Sequence, residues 1–241
     1  MRGVSWSARH VGFGVLWFLA VFLLPQVPPA LFVDDIDNIT RNEYMGLLAA
    51  NAISFVGIAL VASRYMLRGR SGSVLHRLGF RVPGWPTLGW GVTALVAALA
   101  VLIVYGIVIE AADIDSLKQE CDDQIPVDIR RDALLLGLTS FLVAVFAPLA
   151  EELFFRGFAF RGLARSWGLP AAIVASGLLF GLAHLLGNPF LYPSLIPFTV
   201  IGAIFAFSYL RSGNLLTTVG VHFVYNLIGV ISIAATECNP S

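Results

Sequence analysis

Long apolar runs, broken by short polar clusters, set the rhythm of this chain. Residues 133–150 (ALLLGLTSFLVAVFAPLA) contain no charged side chain. A helix crosses the ~30 Å hydrocarbon core of a bilayer with about 20 residues. Seven segments approach or reach that length: 11–33, 44–63, 87–109, 132–153, 170–187, 194–210 and 214–236. The fifth and sixth are short and are expected to tilt or to be shielded by neighbours. The pattern predicts an all-α, polytopic transmembrane helical bundle of about seven spanning helices. The first segment could alternatively be a signal peptide, but Pro25, Pro28 and Pro29 make a poor small-residue cleavage site. Residues 64–86, with RGRSGS and VPGWP, read as a turn-rich linker. Residues 111–131 read as an acidic loop.

Composition agrees with the pattern. Charged residues make up 12% of the chain, about half the usual share in a soluble domain (~25%). Mean hydropathy is +0.83, so the surplus apolar surface is expected to face lipid. The formal charge is zero, which removes any electrostatic case for nucleic acid. The placement of charge says more. Arg2, Arg9, Arg64, Arg68, Arg70, Arg77, Arg81, Arg156, Arg161, Arg165 and Arg211 fall on one side if seven helices alternate. Arg41, Lys118, Arg130 and Arg131 fall on the other. Basic residues mark the cytoplasmic face, so the N-terminus is expected inside and the C-terminus outside. The strong preference for Arg over Lys suggests a GC-rich bacterial genome, and with it a bacterial plasma membrane. Thirteen of the fifteen acids lie at the opposite, arginine-poor ends; Glu151 and Glu152 are the exceptions.

Those exceptions open the question of chemistry, because ionisable side chains within membrane helices are costly and mark candidate sites. Glu152 and Arg156 are i and i+4 and can pair on one helix face. Glu151 points about 100° away and lacks a local counter-ion. The plain alternative is that both acids end a helix at the headgroups. A second candidate, His184, follows Ser176, Gly177, Phe180 and Gly181, small residues among them allowing close helix approach. It could equally be a packing residue. The third cluster is His222 and Asn226, again i and i+4, which could share a ligand or form an interhelical hydrogen-bond pair. Together these residues are the inventory of a hydrolytic site. Glu151 can act as general base toward water. Glu151, His184 and His222 are also a zinc set by type, so Zn²⁺ and a metal-free site both stand. If the fourth span ran on through RGFAFRGLARSW, Glu151 would lie inside the bilayer at the depth of His184. Arg156 to Arg165 would then lie near the cytoplasmic surface.

Glu151-Glu152-x-x-x-Arg156, Phe180-x-x-x-His184 and His222-x-x-x-Asn226, in this order, resemble the CPBP intramembrane proteases. That family comprises the type II CAAX prenyl endopeptidases and the bacterial Abi-type bacteriocin-processing or immunity proteins. The resemblance covers roughly residues 130–230. It implies a protease core over 130–236, preceded by N-terminal helices over 1–110 that carry no recognised motif. By resemblance Glu151 is the catalytic glutamate and His184 works with it on the attacking water. His222 and Asn226 stabilise the oxyanion or bind metal, and Glu152 and Arg156 form a supporting pair.

The expected function is therefore an intramembrane, CAAX-protease-like endopeptidase or metalloendopeptidase. Its substrate would be a peptide or protein at the bilayer, prenylated or bacteriocin-like, reached through a cavity opening toward the cytoplasm. A proton-coupled transporter and a non-catalytic immunity or interaction protein are the alternatives. Cys121 and Cys238 both fall on the external side under this topology, where disulfides persist, and are expected to be able to pair.

Overall fold

The computed structural model describes residues 4–27, 39–68, 73–114, 117, 130–187 and 189–235. Cys121 and Cys238 lie outside the described residues, and so does the bond expected between them. Every long element is helical, and no strand occurs among the described residues. The helices are α1 (Ala8–Leu23, prolonged by a 3₁₀ turn at Leu24–Gln26), α2 (Arg41–Leu67), the short α3 (Val74–Leu78) and α4 (Trp85–Ala111). Then follow α5 (Ala133–Trp167), α6 (Leu169–Gly187), a 3₁₀ turn (Pro189–Ser194), α7 (Leu195–Ser212) and α8 (Leu215–Ala235). Among the described residues, seven helices are long and apolar enough to cross a membrane. The protein is an integral membrane helical bundle.

Local chemistry accounts for the helix limits. Thr40 accepts from the Glu43 amide while Glu43 reaches back to the Thr40 amide, a reciprocal cap that starts α2. Asp132 caps α5 through the amides of Leu134 and Leu135. Gly168 and Gly213, both at positive φ, end α5 and α7, a conformation glycine adopts without a Cβ penalty.

Helix α5 is the axis of the bundle. It runs 35 residues, so the fourth span does continue through RGFAFRGLARSW. Two stretches of it, Leu142–Phe146 and Leu153–Phe160, are wound as π-helix. Helices α1 and α2 pack on α5; α4 packs on α7 and α8; α6 and α7 form a close antiparallel pair. Glycine sets that last spacing. A Cβ on Gly177 would lie 2.5 Å from the Thr199 carbonyl oxygen, and one on Gly202 2.8 Å from Phe180 Cβ.

The largest core cluster gathers Trp6, just ahead of α1, with Val11, Phe18, Ile58, Met66, Phe154, Phe155, Phe158 and Phe160 from α1, α2 and α5. It lies on the arginine-rich side of Glu151. Arg156 belongs to this interior and is fully buried. The reason is the length of α5, which carries the helix eleven residues beyond Arg156 before Trp167 ends it.

Candidate active site

The site is built outward from one buried ion pair. Arg156 Nη1 donates to Glu152 Oε1 at 2.7 Å, with both side chains fully buried. The guanidinium also donates from Nη2 to the Gly202 carbonyl at 3.1 Å. Three aromatic rings surround it: Phe180 at 4.6 Å from the guanidinium carbon, Phe205 at 5.2 Å and Phe155 at 5.8 Å. A charge this dry survives only when paired and hydrogen-bonded, and the ring faces add attraction. The i, i+4 pairing expected from sequence is present.

Glu152 holds a second partner. His222 Nδ1 lies 3.1 Å from Glu152 Oε1. The acceptor is a carboxylate, so the ring nitrogen donates. That turns the other nitrogen, Nε2, toward Glu151, whose Oε2 is 3.9 Å away. This gap is too long for a direct hydrogen bond and suits one bridging water. Glu151 Oε2 is buried and makes no hydrogen bond within the protein, and the same holds for Glu152 Oε2, while Glu152 Oε1 carries both bonds. The Glu151 side chain as a whole keeps 15% of its surface exposed, against none for Glu152. The two neighbouring carboxylates thus differ: one is neutralised and locked, the other is oriented but uncommitted.

His184 Nδ1 lies 2.8 Å from the Phe180 carbonyl oxygen one turn back. A carbonyl can only accept, so Nδ1 carries the proton and Nε2 is left as the free acceptor in the neutral ring. The Phe180 ring lies 4.5 Å from the His184 ring and 5.6 Å from the His222 ring. Glu151 and His184 line one cavity of about 180 Å³ with Phe18, Phe22, Asn51, Phe55, Ile58, Phe155 and Ala183.

Asn226 stands apart. Its Nδ2 donates to the Val143 carbonyl at 2.9 Å; neither Asn226 nor His222 is among the residues lining the cavity, but His222 Nε2 faces Glu151 and Asn226 does not. The backbone of α5 explains this contact. The Ala147 amide bonds the Leu142 carbonyl in the π-helical register. The next amide in that register would reach Val143, but residue 148 is proline and has none. Asn226 supplies the missing donor, the interhelical bond that was the plainer reading of its sequence position.

The zinc reading meets a geometric obstacle. Glu151, His184 and His222 are suitable donor types. Among the described residues, however, no three His, Cys, Asp or Glu side chains come together as a ligand set; the bond of His222 Nδ1 to Glu152 leaves Nε2 available and is itself no obstacle. The three do not fit an ion in this arrangement.

Five of the nine cavity-lining residues come from α1 and α2, helices without a recognisable motif. Phe18, Phe22, Phe55 and Ile58 look like lipid-facing residues in sequence. Only Asn51 carried a signal, as an amide within an apolar helix.

Comparison with known proteins bears on the segment that carries these residues. Residues 133–228 match the family described as type II CAAX prenyl endopeptidase, Rce1-like. The human protein named CAAX prenyl protease 2 is 34% identical over 111 residues, covering 40% of this chain and 34% of that protein. The match thus spans about a third of the length of the human relative. No solved structure matches the chain.

Proposed function

We propose, from the match of residues 133–228 to the Rce1-like type II CAAX prenyl endopeptidase family, that this protein is an intramembrane endopeptidase that uses Glu151 to activate water. The observation that carries this reading is the contrast between two adjacent carboxylates: Glu152 accepts through Oε1 from both Arg156 and His222, with its own Oε2 unbonded, while Glu151, partly exposed to the cavity, turns a buried, unbonded Oε2 to 3.9 Å from His222 Nε2.

In this mechanism a water sits between Glu151, His222 and the free Nε2 of His184. Glu151 takes its proton, and the hydroxide attacks the peptide carbonyl. The carbonyl π electrons move to oxygen as the new C–O bond forms. His222, when protonated at Nε2, donates to the developing oxyanion, with Glu152 holding its ring through Nδ1. Glu151 then returns the proton to the leaving nitrogen as the C–N bond breaks. Glu152 and Arg156 are positioning residues, and Asn226 acts on α5 rather than on the oxyanion. Were a metal bound, Glu151, His184 and His222 would have to draw together to hold it, with His222 ligating through Nε2 while Nδ1 kept its bond to Glu152.

The substrate class follows from the relative's name and is proposed as a prenylated peptide ending in a CAAX sequence. The test is hydrolysis of a farnesylated CAAX peptide by the purified protein, with products identified by mass. Release of a carboxy-terminal fragment by wild type supports the reading. An intact peptide under conditions where the protein is folded contradicts this substrate class.

A further inference from the structure

A groove of about 370 Å³ runs between α4, α6 and α7, within the size range of ligand sites (~300–1,000 Å³). Trp90 and Ala97 of α4, Ile173 of α6, and Val200, Ile204 and Phe207 of α7 line it. Its floor is closed: a Cβ on Gly177 would lie 2.9 Å from the Ala203 amide nitrogen, so α6 and α7 touch by backbone and leave no passage there toward Glu151. From Trp90 to Ala97 the groove follows α4 for two turns, about 10 Å at 1.5 Å per residue. All three helices are long and apolar enough to cross a membrane, so these walls meet the acyl chains of a bilayer.

The arginine-rich end of the groove carries charge. Arg211, exposed in the last turn of α7, lays its guanidinium over the Trp90 ring, 4.7 Å from the centroid. The ring is fixed in place: it meets Phe207 edge-on at 5.9 Å, and Ser208 Oγ donates to the Trp90 carbonyl at 3.2 Å. A second arginine is brought to the same end. Asn214, just beyond α7, accepts from the Arg81 amide at 3.2 Å and donates to the Arg81 carbonyl at 2.9 Å, while the Leu215 amide bonds the Gly79 carbonyl at 3.0 Å. The Arg81 side chain is exposed as well. The acids on this side of the chain are Glu151 and Glu152, both within the catalytic cluster, and neither pairs with Arg81 or Arg211. Trp85, which opens α4 at the same end, is 87% exposed, an indole suited to the boundary between headgroups and acyl chains.

We propose that this groove holds one anionic phospholipid of the bilayer. Arg211 bonds its phosphate, Arg81 adds positive potential beside it, and the upper part of one acyl chain lies along α4 between Trp90 and Ala97. Charge selects the headgroup. A guanidinium fork matches phosphate oxygens, and a zwitterionic lipid brings a cation of its own that two arginines repel. The apolar walls select the chain, since they offer a free polar ligand nothing to bond. The bound lipid braces α4 against the α6–α7 pair, which carries Phe180 and Phe205 to Arg156. The site is separate from hydrolysis and does not depend on turnover.

Lipid retention tests it. The purified full chain in detergent is given dioleoylphosphatidylglycerol or dioleoylphosphatidylcholine, and bound lipid is counted by native mass spectrometry. Wild type should retain one phosphatidylglycerol, preferred over phosphatidylcholine by roughly tenfold or more, the order expected of two arginines at an anionic headgroup. The double variant Arg81→Gln, Arg211→Gln should lose that preference, and Ala97→Leu, which fills the groove, should retain neither lipid. Phosphatidylglycerol should also raise the unfolding midpoint of wild type and leave that of both variants unchanged. Equal retention of the two lipids by wild type, or a preference kept by the double variant, overturns the proposal. Release of the bound lipid by a farnesylated CAAX peptide also overturns it, and assigns the groove to substrate.

Discussion

Arg156 is the residue on which the arrangement of the site depends. Its guanidinium bonds Glu152 and the Gly202 carbonyl at once, from between three phenylalanine rings. Removing it would leave Glu152 charged and dry with only His222 as partner. Breaking a buried pair in this way costs about 3–5 kcal/mol. Arg156→Ala should therefore lower the denaturant midpoint in detergent sharply, and turnover with it. Arg156→Lys should not rescue, because a single ammonium cannot reproduce the planar fork that bonds two oxygens. Wild-type stability in Arg156→Lys would show that the charge alone suffices. The pairing of Glu152 with Arg156 was legible from i, i+4 spacing. The second bond, to His222, was not, because residues seventy positions apart meet only through tertiary packing.

At the scale of the helix, Pro148 and the glycines of α6 decide geometry. Pro148 leaves the Val143 carbonyl without a backbone donor, and Asn226 fills the vacancy. Asn226→Ala should cost about 1 kcal/mol, the net worth of a typical hydrogen bond. Asn226→Asp should cost more, since it sets a carboxylate against a carbonyl oxygen. Thermal unfolding in detergent measures both, and equal midpoints for the two variants would contradict this role. Gly177→Ala should destabilise by about 1–3 kcal/mol as an overpacked contact, because its Cβ would strike the α7 backbone at 2.5 Å. Gly137→Ala, with nothing within 4 Å, is the control and should be neutral or mildly stabilising. The same unfolding assay separates them. The seven spans were readable because lipid-facing helices are apolar on nearly every side. The π-helical turns of α5 were not readable, since they arise from how Pro148 and the packed phenylalanines divide the backbone hydrogen bonds.

Across the whole molecule, the motif-bearing helices hold the residues of the proposed chemistry and the motif-free ones shape the space around them. Helices α1 and α2 supply Phe18, Phe22, Asn51, Phe55 and Ile58 to the cavity. An aromatic residue facing a cavity and one facing lipid look alike in sequence, which is why this contribution was hidden. Glu151 and His184 meet there because α5 continues past Arg156, as the extended reading of the fourth span required. The account turns on the unequal roles of the two neighbouring glutamates, and the most direct test compares Glu151→Gln with Glu152→Gln. Each is purified in detergent and scored for both unfolding midpoint and turnover of a farnesylated CAAX peptide. Glu151→Gln should keep the wild-type midpoint while turnover falls by at least about 10²-fold, the lower range for a lost general base. Glu152→Gln should lower the midpoint, because it removes the counter-charge of Arg156 and the partner of His222. Wild-type turnover in Glu151→Gln, or a midpoint loss equal to that of Glu152→Gln, would contradict the division of labour.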